Sequence, residues 1–454
     1  MDNYLRYQQL RKQYPCFTYT NYHLSVDNDQ LNISYDFQID NLATFHPSWS
    51  IPLMNHSINL NDPLLHRYCF TLGLVELVSY WKISCPPLVK VNCGSLEYAQ
   101  IQWFKKLYYH GLGEFFYING IEENLDTFMR IQPLSMVSEL IDTSIETNGQ
   151  LIPFGGGKDS YVSATLLKNV LPNYAYVIND VISAVNAVNV AGYSDRFIHV
   201  KRTLDKTMLD LNKSGQYLNG HTPFSAIVAF SSVLVSYIYG IKNICLSNES
   251  SANESTIANA TINHQFSKTF EFEQDFNWYN ATYLCDKIHY FSFLRPLNEL
   301  QISALFTLNK AYLSEFTSCN VGSKEGKWCG HCAKCCFVAM MMAPFLDDAT
   351  INSIFKTDIF NDASLIPLFD QLIGKVEDKP FECVGTRIEV QAACIMAIKK
   401  RESKPLPLIL NRYIDLMVNQ TIVDEVIHQK NNQHLVPDDL YSVLECAMKG
   451  VSLW

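Results

Sequence analysis

Apolar and polar residues alternate along the stretch from Cys16 to Asp40, as in His23-Leu24-Ser25-Val26 and Leu31-Asn32-Ile33-Ser34-Tyr35. A period of two predicts antiparallel strands with one buried face, joined at Asp27-Asn28-Asp29. Leu72–Trp81 and Tyr98–Tyr109 predict aromatic-rich helices, kept apart by Pro86-Pro87. From about residue 148 short apolar runs alternate with longer periodic stretches. Strands are expected at Leu151–Phe154, Ala175–Ile178, Arg196–Val200 and Ile244–Ser247, and helices at Tyr161–Leu171 and His221–Tyr239. That alternation predicts the α/β class with an open, mostly parallel sheet. Beyond about residue 285 the pattern is mainly helical. Three regions follow: an N-terminal α+β region at 1–145 with a possible substrate-binding role, an α/β region at 146–315, and a Cys-rich, helical region at 316–454. Phe270-Glu271-Phe272-Glu273 also alternates, which predicts a strand with both carboxylates on one face. Apolar rings beside them would raise a carboxyl pKa; an ordinary strand with a solvated acidic face fits the same pattern.

The first chemical motif interrupts this pattern. The apolar run ending at Phe154 leads into Gly155-Gly156-Gly157-Lys158-Asp159-Ser160, and a helical period follows. Glycines let backbone N–H groups approach an anion, and the positive end of a helix dipole favours phosphate oxygens. Lys158 adds a point charge and Ser160 a hydroxyl donor. The string is not a Walker A loop, because that motif needs a glycine where Ile152 stands. It resembles the pyrophosphate loop (PP-loop) of the ATP pyrophosphatases, usually Ser-Gly-Gly-Lys-Asp-Ser, with Gly155 in place of the leading serine. The resemblance implies that fold type, and cleavage of ATP to AMP and pyrophosphate.

A second motif joins Cys319 to Trp328-Cys329-Gly330-His331-Cys332-Ala333-Lys334-Cys335. Four thiolates at this spacing can close a tetrahedral metal site, with Cys336 the poorer candidate and His331 a possible replacement. A similar pattern occurs in PP-loop nitrile synthases, where it binds structural zinc. An iron–sulfur cluster and a set of buried free thiols are the alternatives.

A third stretch, Ser247-Asn248-Glu249-Ser250-Ser251-Ala252-Asn253-Glu254, follows a strand and is dense in small polar groups. Ligands in open α/β sheets sit beyond strand carboxyl ends, so this stretch, Gly155 and Asn179-Asp180 can converge. Mg²⁺ on ATP needs carboxylate oxygens. A carboxylate substrate needs a cation, for which Arg295 and Lys268 are candidates. Proton transfer at carbon needs acids and bases, available in Glu249, Glu254, Glu271, Glu273 and His264.

Composition narrows the function classes. The chain has 454 residues, 48% of them hydrophobic, and a net charge of -10. Such a balance without a Lys/Arg run argues against broad nucleic-acid binding. The stretch Phe224–Tyr239 is short and interrupted by serines, so a buried helix is expected there rather than a membrane span. Fourteen cysteines without a disulfide-like frame suit a reducing cytoplasm.

Pro153-Phe-Gly-Gly-Gly-Lys-Asp-Ser160, Ser247-Asn-Glu-Ser-Ser-Ala-Asn-Glu254, Phe293-Leu-Arg-Pro-Leu-Asn-Glu-Leu300 and Trp328-Cys-Gly-His-Cys-Ala-Lys-Cys335 occur in that order. Together with Leu72–Trp81 and Phe381-Glu-Cys-Val-Gly-Thr386, they resemble the MurL-type epimerases, which act on UDP-N-acetylmuramoyl-L-alanyl-L-glutamate. The resemblance implies ATP and Mg²⁺ as cofactors, a UDP-MurNAc-dipeptide substrate, and inversion of its terminal glutamate during peptidoglycan precursor synthesis. Cofactor-binding candidates are Gly155, Gly156, Gly157, Lys158, Asp159, Ser160, Asn248 and Asn253. Catalytic candidates are Lys158, Asp159, Glu249, Glu254, Glu271, Glu273 and Arg295, and metal candidates Cys319, Cys329, Cys332 and Cys335. A related epimerase for another peptide C-terminus, a nitrile or amide synthase, and a thiolase are the competing readings.

Overall fold

The computed structural model describes residues 2–137, 143–253, 265–322, 325–377, 379–380, 382–401 and 403–451. Glu254, Asn263 and His264 lie outside them, and the side chain of Asn253 is not described.

Eleven strands occur among the described residues: β1 (Cys16–Asp27), β2 (Gln30–Ile39), β3 (Ala43–Phe45), β4 (Ser48–Pro52), β5 (Leu88–Ser95), β6 (Arg130–Ser135), β7 (Gln150–Pro153), β8 (Asn173–Ile178), β9 (Phe197–Thr203), β10 (Asn243–Leu246) and β11 (His289–Ser292). The chain divides into two compact units. The first comprises Met1–Leu151, Ile198–Ile244 and Ile262–Tyr290; the second comprises Ile152–Phe197, Cys245–Thr261 and Phe291–Trp454. The fold is α/β with a mixed open sheet and a helical C-terminal region.

In the first unit the strands run in the order β9-β4-β2-β1-β5-β6, with β3 beside β2. β2 pairs antiparallel with β1 and β4, whereas β1–β5 and β5–β6 are parallel. The period of two holds: Leu31, Ile33, Tyr35, Phe37 and Ile39 are buried, and the residues between them are not. Asn28 and Asp29 take positive φ at the β1–β2 turn, a conformation Asn and Asp tolerate. Helix Pro63–Trp81 starts with Asp62 accepting from the Leu64 N–H and is buried along nearly its whole length. It packs on helix Phe224–Tyr239, where Tyr68 and Tyr237 stack at 5.0 Å. No helix of the described residues is long and apolar enough to cross a membrane.

The second unit holds the glycine loop after β7, the helix Lys158–Leu167, β8, and the helical C-terminal region. Its core runs from Ile152 and Phe154 through Phe291 and Leu300 to the helices Ala333–Met342 and Arg387–Lys399.

One local expectation is corrected. Phe270–Glu273 begins a helix, Phe270–Tyr279, rather than forming a strand. Thr269 caps it, its hydroxyl accepting from the Phe272 N–H at 3.1 Å. Phe272, Phe276 and Tyr279 are buried at spacings of four and three, the helical period that a four-residue window cannot reveal. Glu271 and Glu273 therefore do not share a face. Glu271 is exposed and pairs with Lys106 at 2.6 Å, while Glu273 is buried.

Candidate functional site: a glycine loop, a buried lysine and a four-thiolate knuckle

Strand β7 ends at Pro153 and the helix begins at Lys158, so Phe154–Gly157 is the turn between them. Gly156 has φ +81, and a Cβ there would lie 2.4 Å from Ser183 Oγ. Only glycine fits that backbone and that space. A Cβ on Gly155 would meet nothing within 4 Å, so the loop is open on that side. Gly157 is the N-cap and offers no side chain to the first-turn amides. The hydroxyl of Ser160 donates to the Gly157 carbonyl at 2.9 Å, which tightens the turn. The result is a helix N-terminus whose amides carry no capping side chain, the arrangement that receives anions.

Lys158 is 2% exposed. Its ammonium contacts Asp159 Oδ1 and Glu299 Oε2. Burial alone would lower its pKa; the two carboxylates outweigh burial and hold it well above the usual lysine range. Glu299 opens helix Glu299–Thr307, capped by Asn298 through a reciprocal box with Gln301. Burial raises the Glu299 carboxyl pKa against the pull of Lys158, and the Asp159 and Glu249 charges push the same way as burial. The ammonium is the better-fixed charge of the pair, since two carboxylates share it.

A further buried acid stands behind Glu299. Glu389 Oε1 accepts from the Glu299 N–H at 2.8 Å, and its Oε2 accepts from the Thr386 N–H at 2.6 Å. Glu389 is thus N3 of helix Arg387–Lys399, with Thr386 completing a capping box. Burial raises its carboxyl pKa and these N–H bonds oppose the rise. Gly385 sits against both acids: a Cβ there would meet Glu389 Oε2 at 2.8 Å and Glu299 Cγ at 3.1 Å. In the sequence Glu299 stands only as part of the Phe293–Leu300 string, and Glu389 is in none of the strings singled out. The Thr386-x-x-Glu389 capping signature was the available signal.

The polar stretch after β10 sits in the same unit. Asn248 Nδ2 donates to Ser292 Oγ at 3.0 Å, and Ser247 Oγ to Ser163 Oγ at 2.8 Å. Glu249 is buried, with Ser251 Oγ at 3.5 Å from its Oε1. Arg295 is 0% exposed. Its Nη1 donates to the Glu249 carbonyl at 2.9 Å and its Nη2 to Ser292 Oγ at 3.1 Å. Arg295 thereby fixes the backbone that carries Glu249. Glu271 and Glu273 belong to the first unit.

The thiols of Cys319, Cys329, Cys332 and Cys335 come together, all four sulfurs within 4.8 Å of one another. Measured pairs are 3.9 Å (Cys319–Cys332), 3.7 Å (Cys329–Cys335) and 3.5 Å (Cys332–Cys335). A tetrahedral ion with metal–sulfur bonds near 2.3 Å requires sulfurs about 3.8 Å apart. The donor set therefore fits a closed tetrahedral metal. The N–H groups of Gly322 and Cys329 point at Cys319 Sγ (3.2 and 3.4 Å), and that of His331 at Cys329 Sγ (3.4 Å). Such bonds reduce the cost of gathering negative sulfur. Gly330 takes φ +76 within the tight Cys-Gly-His-Cys turn. Cys336 is buried outside the cluster, and His331 is exposed.

Residues 8–293 match the family described as the MurL N-terminal domain, and residues 315–425 match the MurL C-terminal domain. Three relatives carry the name UDP-N-acetyl-alpha-D-muramoyl-L-alanyl-L-glutamate epimerase. That of Xanthomonas oryzae pv. oryzae is 30% identical over 346 residues, 73% of this chain and 75% of the relative. That of Salinispora tropica is 33% identical over 331 residues, 71% of each chain. That of a Micromonospora species is 30% identical over 415 residues, 88% of this chain and 91% of the relative.

Proposed function

The chain belongs to the MurL family, and on that premise we propose that it inverts the terminal glutamate of UDP-N-acetylmuramoyl-L-alanyl-L-glutamate with consumption of ATP. The supporting observation is the buried ammonium of Lys158 at an uncapped, glycine-lined helix N-terminus. A carboxylate resists loss of its α-proton, because the carbanion would stand beside a full negative charge. In the proposed reaction a carboxylate oxygen of the glutamate attacks the α-phosphorus of ATP, and the bond to pyrophosphate breaks. The resulting mixed anhydride has lost that charge, and its carbonyl can accept the electron pair left by the α-proton. An enzyme base takes the proton, and a proton returns on the opposite face. Water then cleaves the anhydride and releases AMP with the inverted product.

Each group has a place in this scheme. The loop Gly155–Ser160 and Lys158 hold the polyphosphate. Asp159, whose side chain is 27% exposed, and Glu249 supply carboxylate oxygens for Mg²⁺. Asn248 and Asn253 contribute polar contacts at the nucleotide. Arg295 acts as a positioning residue for Glu249. Glu299 and Glu389 set the charge and direction of Lys158. Glu249, Glu254, Glu271 and Glu273 are the candidates for proton transfer. The four cysteines hold structural zinc, whose preference for thiolate and tetrahedral geometry matches the sulfur spacing.

The deciding experiment incubates the protein with UDP-muramoyl-L-Ala-L-Glu, ATP and Mg²⁺ in D₂O. Deuterium at the glutamate α-carbon together with AMP release is expected. AMP release without α-exchange would replace this reading with a different PP-loop reaction.

A further inference from the structure

The knuckle and the glycine loop are joined by one short segment. The Thr317 N–H donates to the Gly156 carbonyl at 3.1 Å. Ser318 Cβ lies 3.3 Å from where a Cβ on Gly157 would stand. The next residue, Cys319, is one of the four cysteines of the cluster. Thr317 is also tied forward, its hydroxyl accepting from the Cys319 N–H at 3.4 Å. On the other side Trp328, which precedes Cys329, donates its indole N–H to the Phe316 carbonyl at 3.0 Å. Its ring packs on Phe316 at 5.1 Å and on Phe355 at 4.8 Å. Segment 316–319 is therefore pinned by the cluster at one end and by the indole at the other.

Gly156, which this segment touches, is the loop's left-handed residue. Glycine takes that conformation without strain but can take many others as readily, so the contacts around Gly156 select the one it holds. Phosphate recognition by loop amides depends on their direction, so the contacts on Gly156 and Gly157 govern where those donors point.

We propose that the metal held by Cys319, Cys329, Cys332 and Cys335 sets the shape of the nucleotide loop through Thr317 and Ser318. The cluster is then a positioning device for polyphosphate as well as a staple for the helical region. This inference rests on the nucleotide reading above. The two make different demands: a staple alone affects melting temperature, whereas a positioning cluster also affects nucleotide affinity in the folded protein.

The test measures metal content, melting temperature and MgATP affinity on the same preparations of full-length protein. The metal-loaded protein is titrated first. A loaded protein that binds no MgATP overturns the nucleotide reading and this inference with it. The protein is then stripped with a chelator and reloaded with zinc. Stripped protein that stays folded should bind MgATP roughly tenfold more weakly, recovering on reloading. Unchanged affinity in stripped, folded protein overturns the coupling and leaves the nucleotide reading intact. If stripping unfolds the chain, Trp328→Phe decides, because it keeps all four thiolates and removes the bond to Phe316. It should retain the full metal ratio, bind MgATP about fivefold more weakly, and raise KM for ATP but not for the peptide substrate. Full metal with unaltered ATP affinity in that variant overturns the proposal.

Discussion

Each unit of the molecule buries an ion pair, and the two pairs are built differently. In the first unit Glu76 is wholly buried and faces Arg202. The guanidinium grips the carboxylate with Nη2 at 2.6 Å and Nε at 2.9 Å, while Trp49 Nε1 adds a bond at 3.3 Å. Arg202 Nη2 also donates to Ser79 Oγ. Arg202 meets Glu76 in the bidentate geometry arginine favours. In the second unit Lys158 meets two carboxylates at once, Glu249 adds negative charge around Glu299, and Glu389 accepts from the Glu299 N–H behind it. Asp159, Glu249, Glu299 and Glu389 gather there with Lys158, Lys334 and the buried guanidinium of Arg295. A bidentate pair whose carboxylate takes a further bond from Trp49 is a fold device. A lysine shared by two carboxylates at the end of a glycine loop suits a ligand that brings a divalent cation and takes hold of the ammonium.

That contrast can be broken by mutation. Lys158→Ala should abolish α-exchange and AMP release, a loss beyond ~10³-fold, with MgATP binding lost in titrations. It should also cost stability, since Glu299 is left buried without its cation. Arg202→Met is the matched control: leaving Glu76 uncompensated should cost about 3–5 kcal/mol in denaturant unfolding, yet turnover per folded molecule should hold. If Arg202→Met lowered turnover per folded molecule as severely as Lys158→Ala, the distinction between the two pairs would fail.

The site was legible where its chemistry is local and illegible where it is not. The glycine loop and the four cysteines are short strings, and their neighbours in sequence are their neighbours in space. The strands β1 and β2 were equally plain, because alternation over many residues fixes a buried face. Phe270–Glu273 misled because two alternations fit a strand, and only Phe276 and Tyr279 reveal the helix. Glu299 lies 141 residues from Lys158, and Glu389 lies 90 residues from Glu299. No periodicity links positions so distant, and only the packing of the helices brings them to one place.

Smaller effects sharpen the picture within the acid cluster. Glu299→Gln leaves Asp159 on Lys158 and removes a buried charge. It should lower kcat/KM by roughly 10- to 100-fold while changing stability by no more than about 1 kcal/mol. A turnover equal to wild type would remove Glu299 from the account of Lys158. Thr386→Ala deletes the cap of helix Arg387–Lys399, next to the bond that orients Glu389. A loss of about 1 kcal/mol is expected, read as a shift in the unfolding midpoint.

All of this depends on residues 155–160 holding nucleotide polyphosphate. A crystal structure with Mg²⁺ and a non-hydrolysable ATP analogue tests it most directly. Phosphate oxygens are expected within hydrogen-bond distance of the loop amides and of Lys158 Nζ. A nucleotide bound with all its phosphorus atoms remote from those six residues would contradict it.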